Sequence, residues 1–402
     1  IQQLMTVWGE PLTTREIDAL VGALDLDGDR ALDAMEFRQL FDGALEAAGH
    51  DAASLAGRAG EKLRAALFDE IDQQAEQGFH APPCPVTDVT RPHRVNPALR
   101  RMDYAVRGEV ERRGAQHAAR LKAGERLAFD DLLMCNIGNP QAVGQQPLTF
   151  FREVLALLDH PALLERPEAR ALFAEDAVAR ARRLLDAATG GTGAYSHSQG
   201  LPAIREAVAR FIEARDGFPA EPGDVFLTDG ASGGIAAILK LLITRPGDAV
   251  LTPAPQYPIY SATCAGLNAR AFGYVLDEAA GWDANRASLE RAFEACRREG
   301  RAPKALVIIN PGNPTGRLFR PETLAEIARF CAEHHLWLLA DEVYQENVYA
   351  PGARFVSARR AVREAGLERT VPLVSFHSVS KGVVGECGRR GGYMELFGVH
   401  PA

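Results

Sequence analysis

Short apolar runs alternate with longer amphipathic segments through the second half of the chain. The apolar runs predict strands at Asp224–Thr228, Ala249–Thr252, Ala305–Ile309, Leu336–Ala340 and Leu373–Phe376. Apolar residues at helical spacing predict helices at Ile204–Ala214, Ile235–Leu242, Ser288–Arg298 and Pro321–His334. Strands separated by helices of this length indicate an α/β fold with a mostly parallel sheet and helices on both faces.

The first half of the chain has a weaker pattern. We predict helices at about residues 63–77, 100–124 and 150–158. Residues 49–64 are rich in Ala and Gly, which is typical of a linker. We therefore expect a small α-helical module in residues 1–48 and a separate α/β domain after the linker.

Residues 25–36 fit the twelve-residue calcium loop of an EF-hand. The candidate metal ligands are Asp25, Asp27, Asp29, Ala31 through its carbonyl, Asp33 and Glu36. Arg30 stands where such a loop normally has glycine, and a bulky residue in that left-handed turn costs roughly 1–2 kcal/mol. We expect residues 1–48 to bind calcium as part of an EF-hand pair; a helix–loop–helix without metal is the alternative.

Composition and charge narrow the class of protein. The chain has 402 residues, enough for more than one domain. Its net charge of -8 argues against nucleic acid as the main partner, and without a run of roughly 18 apolar residues we expect no membrane span. The six cysteines are scattered, as is typical of reduced thiols in an intracellular protein. We expect a cytoplasmic location, with the mitochondrion as the alternative.

The apolar run Val371–Phe376 breaks into small hydroxyl residues just before Lys381. Lysine is rare in this chain, and a desolvated lysine can lose its proton and attack a carbonyl, which arginine effectively cannot do. Ser378, Ser380 and Arg390 are close in sequence and suit a phosphate group. A carbonyl-bearing cofactor with a phosphate is pyridoxal phosphate, so Lys381 is a candidate Schiff-base lysine. A surface lysine in a loop is the alternative.

Four further polar clusters follow predicted strands, where ligands of open α/β sheets bind. The turn Gly230–Ser232 opens a helix whose N-terminal N–H groups suit a phosphate. Asn313 could donate to a ligand oxygen, Asp341 could pair with a protonated ring nitrogen, and Tyr257 could stack on a flat heterocycle. Each has a structural alternative: a bare turn, a rigid loop, a helix N-cap or a packed ring.

Several longer motifs stand in one order along the chain. They are C-N-I-G-N-P at 135–140, G-Q-Q-P-L-T-F-F-R at 144–152, Y-S-H-S-Q-G at 195–200, N-P-G-N-P-T-G at 310–316, S-F-H-S-V-S-K at 375–381 and G-E-C-G at 385–388. With these motifs, residues 65–396 resemble the fold-type I pyridoxal-phosphate aminotransferases, and within them the alanine aminotransferases. The resemblance implies the large domain of that fold.

The resemblance also implies a role for each matching residue. The implied catalytic residues are Lys381, which would carry the cofactor, Asp341 and Tyr344. The other implied cofactor contacts are Ala231, Ser232, Ser378 and Arg390 to the phosphate, Asn313 to the ring hydroxyl oxygen, Tyr257 stacked on the ring, and Tyr195 from the other subunit of a homodimer. Gly138 would lie beside the substrate.

The implied reaction moves the amino group of L-alanine to 2-oxoglutarate, giving pyruvate and L-glutamate. Lys381 would move a proton from the substrate α-carbon to the cofactor. Glutamate–glyoxylate aminotransferases have nearly the same motifs and are the alternative. A lyase of the same fold and a catalytically inert calcium-binding regulatory protein are more distant alternatives.

Two features depart from the family. The family continues beyond the strand at Tyr393–Leu396 into a C-terminal small domain, which carries the arginine for the substrate carboxylate. Residues 397–402 do not resemble that continuation, so we expect residues 65–396 to form a domain truncated before it. The predicted calcium loop is the second departure, since alanine aminotransferases usually lack one.

Overall fold

The computed structural model describes residues 96–399. These residues contain a seven-stranded sheet with the strand order β1-β7-β6-β5-β4-β2-β3. The strands are β1 (Val225–Thr228), β2 (Asp248–Ala254), β3 (Arg270–Val275), β4 (Ala302–Ile309), β5 (Trp337–Asp341), β6 (Leu373–Ser378) and β7 (Gly392–Phe397).

One strand runs against the others. β7 is antiparallel to both of its neighbours, β1 and β6, whereas every other neighbouring pair is parallel. β1 to β6 therefore point the same way, and their carboxyl ends meet at one edge. β7 begins at that edge, where Gly392 pairs with Thr228 and Ser378. The predicted mostly parallel sheet is confirmed.

Helices connect the strands and precede them. The α-helices are α1 (Pro97–Arg100), α2 (Glu109–Lys122), α3 (Thr149–Asp159), α4 (Pro167–Arg170), α5 (Glu175–Ala187), α6 (Pro202–Asp216), α7 (Gly230–Leu242), α8 (Ile259–Gly266), α9 (Arg286–Arg298), α10 (Pro321–Glu333) and α11 (Ala358–Glu364). Short 3₁₀ helices lie at Ala105–Arg107, Pro140–Val143, Pro161–Glu165, Pro222–Asp224 and Cys387–Arg389. Within residues 96–399, no helix combines the length and the apolar character needed to cross a bilayer.

Both faces of the sheet are covered by helices. Along β4, Leu306 and Ile308 pack in a core with α9, α10 and α11, whereas Val307 and Ile309 pack in a second core with α7 and α8. Successive side chains of a strand point to opposite faces, so the segment of β4 that lies between the two cores, Ala305–Ile309, is apolar at every position. Each such buried side chain stabilises the fold by roughly 1.5–3 kcal/mol relative to its exposed state.

The sequence analysis predicted neither the strand β3 nor the helices α1, α4, α5, α8 and α11, and β3 and α5 show why. β3 is the edge strand next to β2; it buries Phe272 and Tyr274 but exposes Val275, so it lacks a continuous apolar run. α5 buries small residues, Ala177 and Ala181 among them, which give a weak apolar stripe. β3 buries only part of one face and α5 buries small side chains, so neither gives a clear hydrophobic pattern in the sequence.

A buried arginine joins two helices to the sheet. Arg359 of α11 is 2% exposed and lies 2.8 Å from the Glu395 carboxylate of β7 and 3.4 Å from Asp216, the last residue of α6. Its guanidinium also lies over the rings of Phe218 and Phe397, 4.1 and 4.8 Å from their centroids. The arginine therefore supplies positive charge to two carboxylates that lie out of reach of water.

We expect Arg359→Met to lower the free energy of unfolding by about 3–5 kcal/mol, because Glu395 would lose its ion-pair partner while remaining buried, whereas Asp216 would keep Arg215. Urea unfolding measures the change. The matched control is Arg360→Met on the same helix, since Arg360 pairs with Glu364 at the surface and its loss should matter far less. Equal effects of the two substitutions would contradict this role for Arg359.

Candidate active site

The polar clusters predicted from the sequence lie along one edge of the sheet. They follow the carboxyl ends of five strands, with Ser232 after β1, Tyr257 after β2, Asn313 after β4, Asp341 at the end of β5 and Ser378 at the end of β6. Because β1 to β6 share one direction, these positions meet at the edge where α/β sheets bind ligands. The topology therefore assembles a site from segments that are distant in sequence.

Lys381 lies three residues beyond β6 in a loop that is anchored on both sides. Its Nζ donates a hydrogen bond to the backbone oxygen of Gly138. The N–H of Gly382 donates to Asn347 Oδ1 at 3.1 Å, and the N–H of Gly385 donates to the Lys381 carbonyl at 3.3 Å. These bonds hold the backbone of the lysine in place and set its amine against the Gly138 peptide.

Arg390 lies among hydroxyl groups at the N-terminus of α7. Its Nη2 donates to Ser232 Oγ at 3.2 Å and to the Asp229 carbonyl at 3.1 Å, and its Nη1 lies 3.4 Å from Ser380 Oγ. Ser378 Oγ donates in turn to Ser380 Oγ at 2.9 Å. We call Ser232, Ser378, Ser380 and Arg390 the Arg390 cluster. A guanidinium, hydroxyls and a helix N-terminus together form an anion-binding site.

Two glycines allow this close approach. Gly230 has φ +71°, and a Cβ there would lie 2.6 Å from Arg390 Nη2. A Cβ on Gly392 would lie 2.6 Å from the His377 carbonyl and 2.8 Å from the backbone of Gly230, the first residue of α7. Any larger residue at either position would push the start of α7 away from the arginine.

Asp341 is a buried carboxylate at the end of β5. It is 5% exposed; its Oδ2 accepts a hydrogen bond from the Tyr260 hydroxyl at 3.0 Å, and its Oδ1 accepts the N–H of Val343 at 3.4 Å. Within residues 96–399, no lysine, arginine or histidine forms an ion pair with it. Burial raises the pKa of Asp341 to about 6, although both hydrogen bonds act to lower it.

Tyrosine hydroxyls make the remaining contacts of the site. The hydroxyls of Tyr257 and Tyr104 are 2.5 Å apart, and their rings meet edge to face with centroids 6.1 Å apart. Asn313 Nδ2 donates to the Tyr344 hydroxyl at 3.2 Å. Burial raises the pKa of Tyr344 to about 12, and the nearby Asp341 charge adds to the rise. Burial also raises the pKa of Tyr257. Tyr257 and Tyr344 are therefore neutral donors or acceptors at physiological pH.

Comparison with known proteins identifies the family. A family profile described as "Aminotransferase class I and II" matches residues 168–395, which are more than half of the chain and include β1 to β6 and the first four residues of β7. The chain belongs to the class I and II aminotransferases. The EF-hand calcium loop that we predicted at 25–36 lies outside this match and outside the described residues.

Individual aminotransferases are similar over most of the chain. Alanine aminotransferase 2 of Panicum miliaceum is 50% identical over 308 residues, which cover 76% of this chain and 64% of the relative. Glutamate–glyoxylate aminotransferase 1 of Arabidopsis thaliana is 45% identical over 309 residues, 76% of this chain and 63% of the relative. The chain thus spans less than two thirds of the length of these relatives.

A solved structure shares the fold. The alanine aminotransferase from Pyrococcus furiosus superposes with a TM-score of 0.57 at 24% sequence identity, covering 75% of this chain and 63% of that one. At this identity the likeness concerns the fold alone. It agrees with the mostly parallel sheet covered by helices on both faces.

The structure brings together most of the residues predicted for the aminotransferase site. Ala231 and Ser232 lie in the first turn of α7, and Gly138 contacts Lys381. Tyr195, predicted to act from the other subunit, lies on an exposed loop. The roles of all these residues stay predictions. The same holds for the domain boundaries and for the metal ligands Asp25 to Glu36.

Sequence reasoning missed two tyrosines of this aminotransferase site. Tyr104 contacts Tyr257 from 153 positions away, and nothing in its local pattern indicates that contact. Tyr260 is fully buried in α8, so in the sequence it resembles an ordinary core aromatic. Its position three residues after Tyr257 was the one available sign that it faces the same site.

We expect Asp341→Asn to stabilise the cofactor-free chain at pH 8 by roughly 1–3 kcal/mol, and much less at pH 4. The pKa of Asp341 is about 6 when folded against an ordinary 3.8, so its contribution to stability is full below pH 3.8 and is lost as the pH rises towards 6. Asparagine cannot ionise, so the variant does not lose this stability as the pH rises. Urea unfolding at several pH values measures the difference.

The matched control is Asp248→Asn, which should have the opposite sign. Burial acts to raise the pKa of Asp248, but hydrogen bonds from Thr244 outweigh it and hold the pKa below its usual value. Asp248 therefore contributes stability above its ordinary pKa and loses it in acid. If both variants were destabilised at pH 8, the description of Asp341 as an uncompensated charge would be wrong.

Proposed function

We propose that this aminotransferase uses pyridoxal phosphate to move an amino group between L-alanine and 2-oxoglutarate. One observation carries the proposal: the buried Asp341 carboxylate has no cation among the described residues and lies at the same sheet edge as Lys381 and the Arg390 cluster. A protonated heterocycle with a phosphate and a carbonyl would satisfy all three. The identity of 50% to an alanine aminotransferase supports the choice of substrates.

The Arg390 cluster has the chemistry that a phosphate monoester needs. The guanidinium supplies positive charge, and the hydroxyls of Ser232, Ser378 and Ser380 supply donors. The first backbone N–H groups of α7, Ala231 included, have no partner within their own helix and lie at the positive end of its dipole. These residues would hold the phosphate of the cofactor.

The pyridine ring fits the groups beside it. Asp341 would gain the cation that it lacks from a protonated ring nitrogen. Asn313 and Tyr344, already hydrogen-bonded to each other, would bind the ring hydroxyl oxygen, and Tyr257 would stack on the ring face. When bound, pyridoxal phosphate supplies an electron-accepting ring that stabilises negative charge at the substrate α-carbon.

The residues of the chain then divide the remaining work. Lys381 would hold the cofactor through its amine until the substrate amine takes its place. The freed amine of Lys381 would take the proton from the substrate α-carbon. The Gly138 carbonyl, which accepts a hydrogen bond from this amine, orients it, and the exposed backbone of Gly138 leaves room for substrate. Tyr195 would complete the site from the second subunit of a homodimer.

We expect borohydride reduction of the cofactor-loaded protein to fix pyridoxal phosphate on Lys381, and Lys381→Ala to abolish the adduct. Peptide mass spectrometry locates the added mass. The same substitution should lower the transamination rate by roughly 10²–10⁴-fold or more, because the proton acceptor is lost. The matched control is Lys240→Ala, an exposed lysine of α7 that should keep the adduct. An adduct on another lysine would refute the assignment.

Glutamate–glyoxylate transamination is a second candidate, since a relative of that name is 45% identical. Alanine and glycine, the two amino acids involved, differ by one methyl group. A pocket distinguishes such a difference by roughly 10–200-fold.

We expect kcat/KM for pyruvate as amino acceptor to exceed that for glyoxylate by about tenfold or more, with glutamate as the common donor. A pocket that contacts the methyl group of pyruvate stabilises its transition state more than that of the smaller acceptor. Initial rates of alanine and glycine formation measure the ratio. A ratio below one would assign the protein to glyoxylate instead.

A further inference from the structure

Tyr260 is the side chain that donates to the buried carboxylate. It is the second residue of α8 and is 0% exposed. Its hydroxyl donates to Asp341 Oδ2 at 3.0 Å, and in the described part of the chain Asp341 accepts no other side-chain hydrogen bond. The ring is enclosed in the core that α7 and α8 form with the sheet, so the hydroxyl has a fixed position.

No described group around Asp341 supplies a positive charge to pair with its carboxylate. Of the described titratable groups, Tyr257 from the loop after β2, Tyr260 from α8 and Tyr344 from the loop after β5 face it. Burial raises the pKa of all three phenols, so all are neutral. Glu342, the next residue, directs its carboxylate to Arg215 and to the N–H of Ala358 instead.

The hydrogen bonds of Asp341 leave lone-pair sites on the carboxylate for a further donor. A carboxylate offers roughly four lone-pair sites. Tyr260 occupies one on Oδ2 and the Val343 N–H one on Oδ1, and the bond from Tyr260 favours the ionised form of the acid. The two bonds fix the rotation of the carboxylate while its charge stays available to a ligand.

We propose that Tyr260 is a positioning residue: its hydroxyl fixes the orientation of Asp341 and keeps it ionised, so that the carboxylate receives the protonated ring nitrogen of the cofactor. The ring nitrogen is part of the proposed function, and this inference rests on it. The contact between Tyr260 and Asp341 is present without the cofactor, so its effect on the carboxylate is measurable in the cofactor-free chain.

The first experiment is an NMR titration of the full chain without cofactor, with ¹³C in the aspartate carboxyl groups and Asp341→Asn to assign the signal. Tyr260→Phe should raise the pKa of Asp341 by about one pH unit, because a hydrogen bond to the charged form is lost. The matched control is Tyr274→Phe. Tyr274 is also 0% exposed and its hydroxyl donates to the Val307 carbonyl at 2.7 Å, so its loss should leave the Asp341 titration unchanged.

The second experiment compares the affinity for pyridoxal phosphate with that for its 1-deaza analogue, in which C–H replaces the ring nitrogen. Tyr260→Phe should weaken binding of pyridoxal phosphate about fivefold at pH 6 and about twofold at pH 7, because raising the Asp341 pKa from about 6 by about one unit lowers its ionised fraction by those factors. It should leave the affinity for the analogue unchanged, since the analogue has no nitrogen to pair with Asp341. If Tyr260→Phe only disturbed the local structure, the affinities for both ligands would fall equally.

An unchanged Asp341 pKa in Tyr260→Phe, or equal losses for the two ligands, would overturn the proposal while leaving the proposed function intact. If the parent binds neither ligand, the proposed function fails, and so does the role of Tyr260 toward the ring nitrogen. The titration then reports only whether Tyr260 controls the pKa of Asp341.

If Tyr260→Phe does not fold, 3-fluorotyrosine introduced at position 260 replaces it. Its more acidic hydroxyl is a stronger donor and should lower the Asp341 pKa; an unchanged value would again overturn the proposal.

Discussion

The buried carboxylate of Asp341, which has no ion-pair partner among residues 96–399, is the constraint on which the site depends. Removing an ionised carboxylate from water without a cation costs several kcal/mol, yet this one lies at the carboxyl end of a central strand, β5. The hydrogen bonds from Tyr260 and Val343 offset only part of that cost, as the raised pKa of Asp341 indicates. Within the described residues the fold therefore leaves a negative charge for a ligand to compensate.

Glu342 illustrates the other way to bury a carboxylate. Its Oε1 accepts the N–H of Ala358 at 2.7 Å, and its Oε2 lies 3.5 Å from Arg215. Burial raises the pKa of Glu342 to about 7, and Arg215 acts to lower it. Two consecutive acids at one strand end thus have different surroundings. Among the described residues, Arg215 supplies a cation to the acid that faces the helices, and none pairs with the acid that faces the ligand edge.

The sequence predicted the parts of the fold whose pattern is local. Ala305–Ile309 of β4 are apolar at every position because both faces are buried there. Residues at or just after strand ends, such as Asp341 and Asn313, could be assigned to one edge from topology alone. Edge strand β3 lacks that pattern. Tyr104 could not be found because its contact with Tyr257 arises from tertiary packing across 153 positions. Contacts of this kind depend on side-chain positions that periodicity does not encode.

Neutral donors beside Asp341 are physically suited to a carboxylate that must bind a cation. A lysine or arginine in place of Tyr260 would pair with Asp341 and neutralise the charge that attracts a protonated ring nitrogen. A phenol at 3.0 Å stabilises the ionised acid without neutralising it, since a hydrogen bond to a charged group contributes about 1.5–3 kcal/mol and leaves the net charge in place. The same argument applies to Tyr257 and Tyr344, which burial keeps neutral. The surrounding tyrosines thus allow one carboxylate to be buried, ionised and still available to a ligand.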